Sequence, residues 1–242
     1  MKKFFKNAVI LFLVYTVGPV VMIVFLIFKW SGNIKIVNPE NFPKLRPGML
    51  IVSNHPDLLD CMYEVFLLPA LFSGQIFMHP LTLAPWFTPD RRNFTDRWWW
   101  FWLKPMAISV DRDKKNIGET RKMFDAANER NRVMMLFPEG GRTCTGKVFQ
   151  FSRSGKKKIR LLKHSVGWLV LKTQAPVFTM WLENGQVPDQ PGKKLFSWPN
   201  FKRGPIVIKL GIIIEFYEGI REDSSEITSI VAKNLLELAD QE

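Results

Sequence analysis

Apolar residues run from Ala8 to Phe28 without a single charge, a stretch of 21 residues. As one helix that run extends roughly 31 Å, about the thickness of a bilayer's hydrocarbon core. Lys2, Lys3 and Lys6 precede it and Lys29 follows. Cations at both ends leave orientation open by the charge-bias rule. The exit "KWSGN" holds no small-residue cleavage site, which argues for a retained anchor over a signal peptide. Gly18-Pro19 sits at the centre of the run. Proline removes one intrahelical hydrogen bond and crowds the preceding turn, so a kink or break is expected there. One kinked span and two half-helices dipping into one leaflet both fit.

Beyond residue 30 the pattern changes to short apolar runs separated by polar helical stretches. "IKIV" (34–37) and the continuous "GMLIVS" (48–53) read as strands. Residues 57–71 read as a helix and "QIFM" (75–78) as a third strand. "PMAISVDR" (105–112), "RVMMLF" (132–137) and "PVFTMWLE" (176–183) read as further strands, and "PIVIKLGIIIEF" (205–216) as one or two more. Residues 117–131 and 158–173 read as helices. A last helix follows Asp223, where Asp223 and Glu226 have capping-box spacing and Ile227, Ile230, Val231, Leu235 and Leu238 form a stripe. Strands alternating with helices predict an α/β fold: a mixed, largely parallel sheet flanked by helices, with an N-terminal membrane helix or broken helical hairpin. The division expected is an anchoring segment at 1–30 and a catalytic domain at 31–242, within the size of one sizeable domain.

Charge narrows the partners. The chain carries a net charge of +12, so anionic partners are expected. The strongest cluster, "RSGKKKIRLLKH" (153–164), fits phospholipid headgroups, coenzyme A phosphates or an acidic carrier protein, against the plainer reading of a solvated face. "DRWWWFWLKP" (96–105) is too apolar for a solvent loop and reads as core or as a membrane-dipping element. No RNP, zinc-finger or helix-turn-helix pattern is visible, so nucleic acid is not expected as a partner. Cys61 and Cys144 have no metal spacing with the scattered histidines, so neither a metal site nor a cofactor is expected.

Two stretches carry chemistry, and each follows an apolar strand. "NHPDLLD" (54–60) supplies His55 and Asp60. Histidine is the commonest base for a hydroxyl at neutral pH, and a carboxylate fixes its tautomer and balances the imidazolium. Five positions on one regular helix turn through about 140°, so the two would meet only if His55 lies in the strand-to-helix turn. Asn54 suits a cap there and Asp57 the positive end of the helix dipole. "FPEGGRT" (137–143) supplies Glu139, Gly140 and Arg142. The glycines permit positive φ and close backbone approach, and the arginine fork matches phosphate or carboxylate. The bland readings are a capped surface turn for the first and a turn with a surface ion pair for the second. Cys61, near His55, also admits a covalent route, although a cysteine on an apolar helix is more often core.

Together the two stretches resemble the conserved blocks of the glycerolipid acyltransferases, and specifically of lysophosphatidate acyltransferases. The first block of that family is NHxSxxD and the third FPEGTRS. "MAISVDR" (106–112) is similar to the second block and "APVFTMWL" (175–182) to the fourth. "LKHSVG" (162–167) resembles the FKxG segment between the last two. The chain departs from the pattern at Asp57, Met106, Gly141, Thr143 and Thr179, which bears on acceptor identity more than on reaction type.

The resemblance implies a membrane-bound O-acyltransferase of phospholipid biosynthesis. It would move an acyl chain from a thioester, on coenzyme A or acyl carrier protein, to the free hydroxyl of lysophosphatidate. His55 would be the base and Asp60 its partner. Arg112 and Arg142 would hold the acceptor phosphate, Glu139 would position Arg142 or the glycerol, and Gly140 would bring backbone close. Lys104 and the backbone near Gly140 are candidate oxyanion donors, and Lys163 a further binding candidate. Lysophospholipid, acyl thioester and an anionic membrane surface are the expected partners, with the catalytic domain on the cytoplasmic side. The same chemistry on another lysophospholipid or an amino-acid lipid, and a non-catalytic lipid- or nucleic-acid-binding protein, are the alternatives.

Overall fold

A computed structural model describes residues 2–56, 75–83, 86–88, 104, 107–108, 121, 123–125, 132–141, 143, 147–184, 204–216 and 223–241. The anticipated helix at 57–71 and the tryptophan-rich stretch lie outside these residues, as does most of the anticipated strand at 105–112.

The strands are β1 (Ile34–Val37), β2 (Leu50–Ser53), β3 (Trp86–Phe87), β4 (Met134–Leu136), β5 (Phe149–Phe151), β6 (Lys158–Arg160), β7 (Val177–Asn184) and β8 (Ile206–Ile214). Six of them form one sheet in the order β1-β8-β7-β2-β4-β3. Neighbours run parallel except β7 and β8, which pair antiparallel. The mixed, largely parallel sheet with flanking helices is therefore present. β2 and β4 sit centrally and are buried along their whole length, which is why they read as unbroken apolar runs.

One sheet face is covered by the N-terminal helix. It runs as α1 (Lys2–Phe12), a π turn (Leu13–Val17) and α2 (Gly18–Trp30) without interruption. The break expected at Gly18-Pro19 does not occur. The Gly18 N–H reaches back to the Leu13 carbonyl, so the widened turn sits immediately before the proline and absorbs the register that Pro19 disturbs. Phe4–Trp30 is long and apolar enough to cross a membrane by length and composition. It also packs on the sheet: Ile10, Leu13, Val14 and Phe25 are buried with Met49, Ile51, Met135 and Phe178. Each such side chain contributes about 1.5–3 kcal/mol. The opposite side of the same helix leaves Phe4, Phe5, Phe12, Val20, Ile23, Ile27 and Trp30 exposed.

The short α3 (Gln75–Met78) and α4 (Pro80–Leu83) pack beside the N-terminal helix, and the other face carries α5 (Ser165–Thr173) and α6 (Ser224–Ala239). Their apolar sides, Val166, Leu169, Val170, Ile227, Val231 and Leu235, pack on Leu50, Val52, Met134 and Val177. Asp223 caps α6, accepting from the Ser225 and Glu226 N–H groups.

Two elements differ from the sequence reading. "QIFM" is the helix α3, not a strand. Residues 158–160 form β6, which pairs antiparallel with β5 as a separate hairpin, and only 165–173 are helical. Within β6 Ile159 alone is buried, between Lys158 and Arg160, the alternation of a strand. The run 205–216 is one strand. Thr179, where the family's fourth block has proline, is fully buried at an irregularity of the β7–β8 pairing. Gly211 makes room for it: a Cβ there would lie 2.3 Å from Thr179 Oγ1.

Candidate active site

β2 and β4 are parallel neighbours, so the turns leaving their carboxyl ends lie side by side. In open α/β sheets this is where ligands gather. β2 delivers Asn54 and His55; β4 delivers Phe137, Pro138, Glu139 and Gly140.

Asn54 is engaged across the sheet, and the helix it was expected to cap lies outside the described residues. Its Nδ2 donates to the Leu182 carbonyl at 2.8 Å and its Oδ1 accepts the Leu182 N–H at 2.7 Å. The amide thereby imitates one more strand residue and ties the turn to β7. His55 follows, 8% exposed. Its ring stacks on Phe137 with centroids 4.5 Å apart and planes 29° from parallel. That contact restricts the imidazole plane.

Glu139 is the hub of the two turns. It is 1% exposed. Oε1 accepts the backbone N–H of His55 at 2.8 Å and the Thr143 hydroxyl at 2.7 Å, and Oε2 accepts the Arg160 N–H at 2.8 Å. The Thr143 N–H donates to the His55 carbonyl at 2.9 Å. One carboxylate therefore joins the β2 turn, the β4 turn and the β5–β6 hairpin. Burial pushes its pKa up; the hydrogen bonds from Arg160, Thr143 and His55 and the nearby His55 charge oppose this. Among the described residues three donors and no acceptor surround the two oxygens, which suits the ionised form. Hydrogen bonds to a charged group contribute about 1.5–3 kcal/mol each, so this node holds the frame strongly.

Gly140 has φ of +63°, and Lys163 lies across it: a Cβ at Gly140 would sit 2.4 Å from Lys163 Cε and 2.8 Å from Nζ. The Lys163 N–H also donates to the Pro138 carbonyl at 2.9 Å. The lysine that entered as a secondary candidate is thus seated on the β4 turn, and its ammonium is a cation at the mouth of the site.

The sequence candidates divide accordingly. His55, Glu139, Gly140 and Lys163 come together. Lys104 is exposed in a short 3₁₀ position, and no contact among the described residues ties it to His55 or Glu139. Asp60, Arg112 and Arg142 lie outside the described residues, as do Cys61 and Cys144. Sequence reasoning missed Phe137 as the ring support, Thr143 as the link between turns and Arg160 as a backbone donor. Phe137 and Thr143 stand inside "FPEGGRT" and were open to being found. Arg160 was hidden by reading β6 as helix.

Chemically, the arrangement offers a ring nitrogen base, a lysine ammonium nearby, and a glycine turn whose Gly140 N–H is given to the Phe137 carbonyl. Those parts suit attack by a hydroxyl on an activated acyl group next to an anionic substituent.

A family model described as "Acyltransferase" matches residues 33–183. No curated protein sequence matches. Among solved structures, the chain is similar to the 1-acyl-sn-glycerophosphate (LPA) acyltransferase PlsC from Thermotoga maritima, with a TM-score of 0.53 and 15% identity. That likeness covers 89% of this chain and 76% of the other; at this identity it speaks to the fold.

Proposed function

The chain belongs to the acyltransferase family, and on that premise we propose that it esterifies the free hydroxyl of lysophosphatidate with an acyl chain from a thioester, giving phosphatidate at a membrane surface. The observation that carries this reading is the direct bond between the two motif turns: the His55 N–H donates to Glu139, and Thr143 donates to the His55 carbonyl. The turn bearing the base and the turn suited to an anionic acceptor are thereby held as one unit.

In this reading His55 removes the hydroxyl proton as the oxygen attacks the thioester carbonyl. The new C–O bond forms, the thiolate leaves, and the proton passes from the imidazolium to solvent or to the departing sulfur. Asp60 steadies the imidazolium. Lys163, with Arg142 and Arg112, holds the acceptor phosphate, and the Gly140 turn brings backbone donors near the developing oxyanion. Glu139 acts as a positioning residue: its oxygens already accept three hydrogen bonds, which supports a structural duty over contact with the glycerol. The apolar outer side of the N-terminal helix, with Phe4, Phe5 and Trp30 exposed, supports membrane attachment, where a lysolipid is presented. Acyl carrier protein and coenzyme A both fit as donor carriers.

The test gives purified protein lysophosphatidate and a labelled acyl thioester and compares wild type with His55→Ala. Loss of about 10³-fold or more in turnover, with the thermal transition retained, is expected. Equal turnover by both proteins would remove the base assignment. Turnover confined to a lysolipid without a phosphomonoester would remove the proposed acceptor and keep the reaction.

A further inference from the structure

At the other end of the sheet three donor-only side chains meet around one ring. Trp86 begins β3, the edge strand, and Arg132 stands two residues before β4. Lys6 reaches in from α1. The Lys6 ammonium lies 3.9 Å from the Trp86 ring centroid and the Arg132 guanidinium carbon 4.9 Å from it. Both cations lie within 5 Å of one ring centroid, so they are close neighbours. Lysine, arginine and indole can donate hydrogen bonds but cannot accept them. Among the described residues no acid pairs with Lys6 or Arg132, and Arg132 Nη1 and Trp86 Nε1 are buried without an acceptor.

Cation–π attraction accounts for each cation lying on the ring. It does not account for two like charges and a buried indole N–H brought to one place with no anion among the described residues. Native interiors seldom leave such donors unmet, and the arginine fork and the lysine ammonium are both suited to pair with a phosphate oxyanion. Phe4 and Phe5, adjacent in sequence to Lys6, are 81% and 71% exposed. An apolar pair beside a cation pair matches the boundary between acyl chains and headgroups.

We infer that Lys6, Arg132 and Trp86 form a second anion site, separate from the His55 turn, that takes a phosphate oxyanion, with the headgroup of an anionic phospholipid as its natural source. The site lies at the amino ends of β3 and β4, whereas His55 and Glu139 follow the carboxyl ends of β2 and β4. Occupancy would seat the edge of the sheet and the start of α1 on an anionic surface and leave the acceptor site unblocked. The inference stands on contacts outside the proposed acyl-transfer chemistry, so its test reads binding rather than turnover.

The experiment measures binding of the full chain to vesicles of pure phosphatidylcholine and of phosphatidylcholine with about a fifth phosphatidylglycerol, the regime where each basic residue contributes measurably. Wild type is compared with Lys6→Gln, Arg132→Gln and the charge-matched control Lys29→Gln. The expected result is a loss of preference for anionic vesicles of about fivefold or more for the first two and less than about twofold for the control. A second arm follows the melting temperature in inorganic phosphate against chloride of equal ionic strength. A rise in wild type that both variants lack extends the site to free phosphate; selective loss on vesicles alone assigns it to the lipid headgroup. Equal losses for Lys6→Gln and Lys29→Gln would reduce the effect to general surface charge and overturn the inference. Should Arg132→Gln melt early in chloride, Lys6→Gln, on the helix surface, decides the matter.

Discussion

The two ends of the short parallel strands carry opposite polar chemistry. At the carboxyl ends of β2 and β4, Glu139 collects donors from three separate elements, and Asn54 satisfies both backbone groups of Leu182. At the amino ends of β3 and β4, Lys6, Arg132 and Trp86 present donors around one ring with no acceptor among the described residues. The first arrangement is closed: its bonds are made within the chain, and it fixes the backbone beside His55. The second is open: its bookkeeping balances only when something anionic arrives. A reacting group needs a rigid frame that is complete before substrate binds. A docking point for a charged surface is better left incomplete, since the missing partner is then the ligand.

The comparison can be stressed from either end. The largest effect is expected from Glu139→Leu, which leaves three buried or partly buried donors without their acceptor. Chemical denaturation should show a loss of about 3 kcal/mol or more, and a change under 1 kcal/mol would mean the hub is dispensable. Gly140→Ala comes next. Its φ of +63° disfavours any Cβ, and the new methyl must displace Lys163. A cost of about 1–2 kcal/mol from the backbone alone is expected, together with a fall in turnover. The vesicle preference of the amino end should be untouched by Gly140→Ala; if it drops in parallel, the two ends are not independent.

The smallest effect concerns Glu183 on β7, which bridges Lys157 of the hairpin at 2.7 Å and the buried Lys209 of β8 at 2.8 Å. Burial works to raise the Glu183 pKa, but hydrogen bonds and charge from the two lysines outweigh it and hold it below the usual range. A depressed carboxylate contributes stability above its unfolded pKa, near 4.3, and loses that contribution as pH falls through its folded value. Glu183→Gln should therefore cost about 1 kcal/mol at pH 7, allowing for solvent screening. Its melting curve should converge with that of wild type in acid. A cost that stays constant with pH would contradict the pairing.

Much of the fold was legible because β2, β4, β7 and β8 are long or continuous apolar runs, and Asp223 signals the start of α6 at the correct residue. Four residues at 75–78, three of them apolar, were not enough to separate strand from helix. The hairpin strand β6 was absorbed into the helix behind it because its single inward residue, Ile159, also fits a helical stripe. The π turn before Pro19 has no signature in composition. At the site, the residue types were readable and the bonding was not. Glu139 meets His55 across 84 positions and Arg160 across 21, distances over which no local pattern operates. That is why the sequence offered Glu139 as a residue positioning Arg142 or the glycerol and did not show that its oxygens accept from His55, Thr143 and Arg160.

The central claim is that Glu139 holds the His55 turn rather than touching the acceptor. Steady-state kinetics of Glu139→Gln, with lysophosphatidate varied at saturating thioester, tests it most directly. The amide keeps the shape but turns one acceptor into a donor facing donors. The account predicts a fall in kcat of about 10-fold or more with KM for the acceptor within about threefold of wild type, because the base is displaced while the binding groups remain. A KM raised about 10-fold with kcat unchanged would place Glu139 against the acceptor and contradict the account.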